Sequence, residues 1–281
     1  MIKGDFIKKR FYFPLFSNVE NSSNREKLRM RKIFVQILVL LLVLFSSNVH
    51  ANEMNGDIPP SFREGVKAFT DKRSGSKIDE KDKSIMVKAA RDLEIAMPEP
   101  GLKVGVNAPD FLLTNAFGEK VKLSERLKEG PVVLTFYRGA WCPFCNIELN
   151  VLQRSLPYFK EYNASLIAVT PQRPDKSKEQ LEKAEYTFEV LSDLDDNVMK
   201  SYNLYFEVTQ ELHELYKNRF NFDITDYNGK NRFGLPVPGT FVIDQDGTIK
   251  AAYAKTDYKK RMEPEDIIKV LKVINASKNP E

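Results

Sequence analysis

Cys142 and Cys145 are the only cysteines among 281 residues, and they stand three apart in Thr135-Phe136-Tyr137-Arg138-Gly139-Ala140-Trp141-Cys142-Pro143-Phe144-Cys145. At positions i and i+3 of a first helical turn, two Cα atoms lie about 5 to 6 Å apart, within the ~4.4 to 6.8 Å span of a disulfide. One sulfur can attack and the other resolve with little backbone movement. Two other readings of a Cys-x-x-Cys pair compete with this one. Half of a zinc site needs about two further ligands, but no other cysteine exists and the histidines are His50 and His213 alone. An inert structural disulfide closing so short a loop constrains the unfolded chain weakly. A redox pair accounts best for the spacing, and it requires that the sulfurs can meet and be reached.

The elements on either side determine how reactive such sulfurs are. Val132-Val133-Leu134-Thr135-Phe136, bounded by Gly130-Pro131, reads as a buried strand, and Ile147, Leu149, Leu152 and Leu156 recur at helical spacing to about Tyr162. The cysteines therefore fall where a strand ends and a helix begins. Unpaired N–H groups and the positive end of the dipole at a helix N-terminus favour thiolate over thiol, and Arg138 adds a cation.

The N-terminal segment has a different character. Ile33 to Phe45 is nearly all apolar, follows Arg29, Arg31 and Lys32, and precedes Ser46-Ser47-Asn48-Val49-His50-Ala51. This order predicts a secretory signal cleaved after Ala51, with Val49 and Ala51 as the small residues. An uncleaved anchor needs ~20 apolar residues, more than this run supplies. Residues 1–29 are an unusual leader, so translation is expected to start at Met30, with 1–51 absent from the mature protein. Without them the chain has 34 basic and 36 acidic residues, so the apparent charge of +4 belongs to the targeting segment. No basic run with interleaved aromatics remains to bind nucleic acid. Export also places the pair where disulfides persist, periplasmic or secreted according to the cell envelope.

Residues 52–100 read as a polar extension with helices at Ser61 to Phe69 and Ser84 to Ile95, ending at Pro98-Glu99-Pro100-Gly101. From 101 to 281, apolar runs alternate with amphipathic stretches. Strands are expected at Phe111 to Leu113, Lys120 to Leu123, Ser165 to Thr170, Phe188 to Leu191, Thr240 to Asp244 and Ile249 to Tyr253, and helices at Lys176 to Tyr186, Asp195 to Tyr202 and Pro264 to Asn275. Glu207 to Val237 is long for a connection; it carries a helix candidate ending at Tyr216, and such insertions often serve partner choice. His213 on that helix reads as a surface residue.

Trp141-Cys142-Pro143-Phe144-Cys145 resembles the Trp-Cys-x-x-Cys of thioredoxins. Ala108-Pro109-Asp110-Phe111, Thr135-Phe136-Tyr137 and Thr240-Phe241-Val242-Ile243-Asp244 resemble the framework of peroxiredoxins of the alkyl hydroperoxide reductase C/thiol-specific antioxidant family. The resemblance covers roughly Val104 to Val273. It implies a thioredoxin-like α/β fold, a central mixed sheet flanked by helices, and an antioxidant oxidoreductase that reduces hydroperoxides through a reversible Cys142–Cys145 disulfide. A thioredoxin-like donor would re-reduce the pair, with neither cofactor nor metal. Cys145 falls on the family's peroxidatic position and Glu148 three residues on. Cys142 stands where the family has threonine, Arg138 where it has proline, and Pro238 near its active-site arginine; Pro238 resembles instead the cis-proline facing the cysteines of thioredoxins. Two mechanisms follow. In peroxide reduction Cys145 attacks and Cys142 resolves; in protein disulfide exchange Cys142 attacks and Cys145 releases. Arg138 is expected to lower a thiol pKa, Trp141 to cover the pair, and Glu148 to relay a proton or pair with Arg138. A non-catalytic binding protein that kept the fold, with Glu207 to Val237 as its contact surface, is the alternative of another class.

Overall fold

Five apolar or β-branched residues in a row cannot alternate between core and water. Accordingly, in the computed structural model, which describes residues 59–73 and 78–278, Val132–Phe136 is buried on both faces. The expected signal at 1–51, its cleavage after Ala51 and the start at Met30 lie outside the described residues.

In chain order the helices are α1 (Phe62–Lys72), α2 (Glu80–Ala96), α3 (Leu123–Glu129), α4 (Pro143–Lys160), α5 (Pro174–Ala184), α6 (Asn197–Ser201), α7 (Gln210–Arg219), α8 (Ile224–Asn228) and α9 (Pro264–Lys278). The strands are β1 (Leu112–Asn115), β2 (Lys120–Lys122), β3 (Val132–Phe136), β4 (Ser165–Thr170), β5 (Glu189–Ser192), β6 (Tyr205–Glu207), β7 (Gly234–Pro236), β8 (Gly239–Ile243) and β9 (Ile249–Ala254). Seven of them form one mixed sheet in the order β2-β1-β5-β4-β3-β8-β9, and β6 pairs with β7 apart from it. β3 runs parallel to β4 and antiparallel to β8, with Thr135 opposite Thr240. This mixed sheet flanked by helices is the expected architecture. The periodicity reading had no place for α3, α8 or the β6–β7 pair, because these elements are too short to show a period.

Apolar side chains fill both faces of the sheet. On one, Leu149, Leu152 and Phe159 of α4 and Ile267, Leu271 and Ile274 of α9 pack with Val133 and Val242; on the other, Leu134, Phe136, Tyr202 and Phe241 do so. The described residues belong to one unit running from Ile58 to Glu281, so the extension's helices pack on the domain. The N-terminus of α1 is held by Glu263, whose carboxylate accepts from the main-chain N–H groups of Phe62 and Arg63. An acid there meets both the free N–H groups and the helix dipole. Among the described residues no helix is long and apolar enough to cross a membrane.

Candidate active site

Strand β3 delivers the chain to the site, and Gly139 turns it. A Cβ at Gly139, where φ is +151°, would fall 2.5 Å from Nε1 of Trp141, so a side chain at 139 and the indole in its present place are incompatible. Cys142 then caps α4, with Pro143 as the first helical residue, where its missing N–H costs nothing. Gln172 and Gln180 hold this loop from the side. Oε1 of Gln172 accepts from the Ala140 N–H at 3.0 Å, the Tyr137 hydroxyl donates to Gln180 at 2.8 Å, and Gln180 donates to Asn146 at 2.8 Å. The glutamines and Tyr137 read in the sequence as ordinary loop, helix and strand residues; only their convergence in space gives them a role.

Cys142 and Cys145 are both free thiols, and the Cys145 thiol hydrogen-bonds to Cys142. The sulfurs are thus brought together as the spacing required. The expectation that they can also be reached is corrected: Cys142 is 1% exposed and Cys145 fully buried, because the pair is packed beneath the side chains around Trp141 and Phe144. Burial pushes the Cys142 thiol up, but the hydrogen bond from Cys145 and the charges of Arg138 and Arg261 outweigh it and hold the pKa at about 6. Burial, the hydrogen bond to Cys142 and the charge on Cys142 keep Cys145 well above the ordinary thiol value. Within the pair the Cys142 thiol is thus the one held below the ordinary range and the Cys145 thiol the one held above it.

Two buried arginines supply the opposing charge. Arg138, 5% exposed, lies between the rings of Trp141 and Tyr258, 4.9 and 4.8 Å from their centroids, and its Nη2 donates to the Tyr216 hydroxyl at 2.8 Å. Its Nε is buried without a hydrogen-bond partner. Trp141 is half-buried and stacks on Phe222 at 4.6 Å, so the insertion between β6 and β7 forms a wall of the site through Tyr216 and Phe222. Arg261 was not foreseen. It lies beyond β9, donates through Nε to Glu148, and places Nη2 3.5 Å from Sγ of Cys145.

Three further expectations need correction. Glu148 pairs with Arg261, not Arg138, because α4 turns its carboxylate inward beneath the sheet, where Thr135 and Thr240 also donate to Oε1 at 3.3 and 3.4 Å. Burial pushes its pKa up to about 7 against the Arg261 charge. Pro238 lines a small cavity beside Arg138, but the described residues contain no cis peptide bond, so the likeness to a thioredoxin cis-proline stops at position. His213 is buried, not on the surface: it packs against the Phe233 ring and bonds Asp223 at 2.9 Å within the insertion.

A dithiol at the tip of a helix that leaves the central strand of a thioredoxin-like sheet, with two buried arginines beside it, defines the class: this is a thiol oxidoreductase. The chain belongs to the AhpC/TSA family, whose family model matches residues 104–252. It is 29% identical over 161 residues to the thiol-disulfide oxidoreductase ResA of Geobacillus kaustophilus, covering 57% of this chain and 74% of that protein. With the peroxiredoxin Bcp of Bacillus subtilis it shares 28% identity over 158 residues, 56% of this chain and 88% of the other. Among solved structures, peroxiredoxin 6 of Arenicola marina superposes with a TM-score of 0.51 at 16% identity, over 64% of this chain and 76% of that one, a likeness of fold alone.

Proposed function

We propose that this protein reduces hydroperoxides, with Cys142 as the attacking sulfur and Cys145 as the resolving one. The observation that carries the reading is the place of the pair: two free thiols at the cap of α4, with Arg261 donating to Cys145 and the Cys142 thiol lowered by the charges of Arg138 and Arg261. The Cys142 thiolate attacks one peroxide oxygen; the S–O bond forms as the O–O bond breaks, and the other oxygen leaves as alcohol or water after taking a proton. The Cys145 sulfur then displaces water from the sulfenic acid to form the Cys142–Cys145 disulfide. A thioredoxin-type dithiol returns two electrons and two protons to restore both thiols. These roles reverse those that family alignment assigns to the two cysteines.

Burial bears on the choice of oxidant. A peroxide is a few atoms across and can reach a sulfur that is 1% exposed after a side-chain movement, whereas a protein disulfide must bring its own main chain to the helix tip. Disulfide exchange remains the second reading, favoured by Cys142 as the attacking member of a thioredoxin-type pair and by the similarity to ResA. The deciding experiment supplies pre-reduced protein and a thioredoxin system with either hydrogen peroxide and cumene hydroperoxide or insulin disulfide. Reductant consumption with peroxide at least tenfold faster than with insulin is expected, and the opposite order would establish exchange in its place.

Export is supported by the basic flank, apolar run and small residues before Asn52. Mature protein recovered from cells is expected to begin at Asn52. Recovery of peptides covering Phe11 to Arg25 would remove the Met30 start, and a retained apolar run would mean an anchored form.

A further inference from the structure

On one side the dithiol is shut in by α1, which reaches the side chains around it at two points. At the start of the helix the ring of Phe62, 3% exposed, lies 5.7 Å from Cζ of Arg261, the arginine whose Nη2 donates to Sγ of Cys145. Two turns on, the Phe69 ring meets the ring of Phe144 edge-on at 5.6 Å, and Phe144 stands between the two cysteines in the chain. Val66 and Phe69 pack against the apolar cluster that contains both sulfurs. Between these points α1 lies flush on α4: a Cβ at Gly65 would fall 2.7 Å from Cγ2 of Ile147, two residues past Cys145.

Little holds α1 there. Of its 11 residues only Phe62 is buried, with Val66 and Phe69 half-buried on the same stripe. Its N-terminus is tied by Glu263, whose carboxylate accepts from Oγ of Ser61 at 3.1 Å, from the N–H groups of Phe62 and Arg63 at 2.9 and 3.1 Å, and from Nε of Arg63 at 3.0 Å. A helix of this length is marginal in water by itself. A segment with one buried side chain opens at far lower cost than the sheet beneath it.

We infer that α1 is a cover over the pair, and that it must lift before a protein dithiol can reduce the Cys142–Cys145 disulfide, whereas a small reagent reaches the sulfurs with α1 in place. In that reduction the donor's thiolate attacks one sulfur of the pair, the S–S bond breaks as a mixed disulfide forms, and the released sulfur takes a proton. The donor's second thiol then loses its proton and displaces the remaining sulfur, which takes a proton in turn, and the donor leaves as a disulfide. Both steps bring the donor's main chain to the tip of α4, beside Phe144, where Phe69 lies. A reductant of a few atoms needs no such room. The inference rests on re-reduction by a thioredoxin-type donor, as proposed above, and not on the peroxide step.

The test uses the full chain, oxidised to the Cys142–Cys145 disulfide with diamide so that no peroxide activity is needed, and then reduced by either thioredoxin or dithiothreitol. Acid quenching, alkylation and mass spectrometry count the disulfide left at each time. Glu263→Gln removes the charge that ties α1 down. Gly65→Ala drives a methyl group into Ile147, although alanine is the better helix former. Each variant should be reduced by thioredoxin at least tenfold faster than the unaltered protein, and by dithiothreitol no more than about twofold faster. Ile147→Ala in the Gly65→Ala chain makes room for the methyl group and should return the thioredoxin rate to within about threefold of the unaltered protein. Equal acceleration with both reductants would mean a general loosening of the domain, and no acceleration with thioredoxin would mean that α1 does not bar the way; either result overturns the inference. A gain for thioredoxin alone, in a protein inert toward peroxide, would leave the cover standing and remove only the peroxidase reading.

Discussion

Cys142→Ser is expected to lose the reaction with peroxide to below detection, whereas Cys145→Ser keeps one fast turnover per molecule and then stops at a sulfenic acid. The asymmetry follows from where the negative charge lies. A thiolate, not a thiol, attacks, and the Cys142 thiol is held below the ordinary range while the Cys145 thiol is held above it. Stopped-flow mixing of each pre-reduced variant with peroxide, followed by trapping of the sulfenic acid with a dimedone probe, separates the two outcomes. In the unaltered protein the rate should climb through a midpoint at about pH 6 and level off above it, because the depressed pKa fixes where the thiolate appears. Arg138→Met removes one of the two charges that hold it there, so the midpoint should move up toward the ordinary thiol value of ~8.5. A fast first turnover in Cys142→Ser would transfer the attack to Cys145 and restore the roles read from family alignment.

The second large effect concerns stability. Arg261 and Glu148 form an ion pair that is almost wholly buried, with side-chain exposures of 1% and 3%. Removing one partner of such a pair leaves an uncompensated charge and costs about 3–5 kcal/mol, so Arg261→Met should lower the melting temperature by about 10 °C for a domain of this size. The loss should also depend on pH. Glu148 has a folded pKa near 7, above an unfolded value of ~4.3, so the folded state holds the extra proton and stability declines as pH rises between those values. Without Arg261 the folded pKa moves higher still and the decline continues above pH 7. The melting temperature of Arg261→Met should therefore fall further below that of the unaltered protein at pH 8 than at pH 6. A deficit that does not vary with pH would mean that Glu148 finds another cation.

The sequence made legible whatever is local. Val132 to Phe136 is a strand because five residues in succession suit the interior, and the helix after Cys145 is announced by Ile147, Leu149 and Leu152. Cys142 and Cys145 needed only their spacing. Arg261 was not legible because it sits in Tyr258-Lys259-Lys260-Arg261, a basic run that resembles any solvated loop. Only the fold, by returning β9 beside β8, turns one of those cations inward while Lys259 and Lys260 stay exposed. His213 was misread for the matching reason: a polar residue on a polar helix looks exposed until its partner, Asp223, arrives from the next loop. The insertion's share in the site was not legible either: Tyr216 and Phe222 reach Trp141 only through the fold.

Two guanidinium groups beside the sulfur pair also set the direction in which electrons move. A thiol held below its ordinary pKa stabilises the dithiol relative to the disulfide, so the lowered Cys142 pKa raises the reduction potential of the pair. The disulfide left after each turnover is a correspondingly better electron acceptor. A donor poised near −270 mV, as thioredoxin is, thus gains driving force from the same two arginines that ready Cys142 for attack.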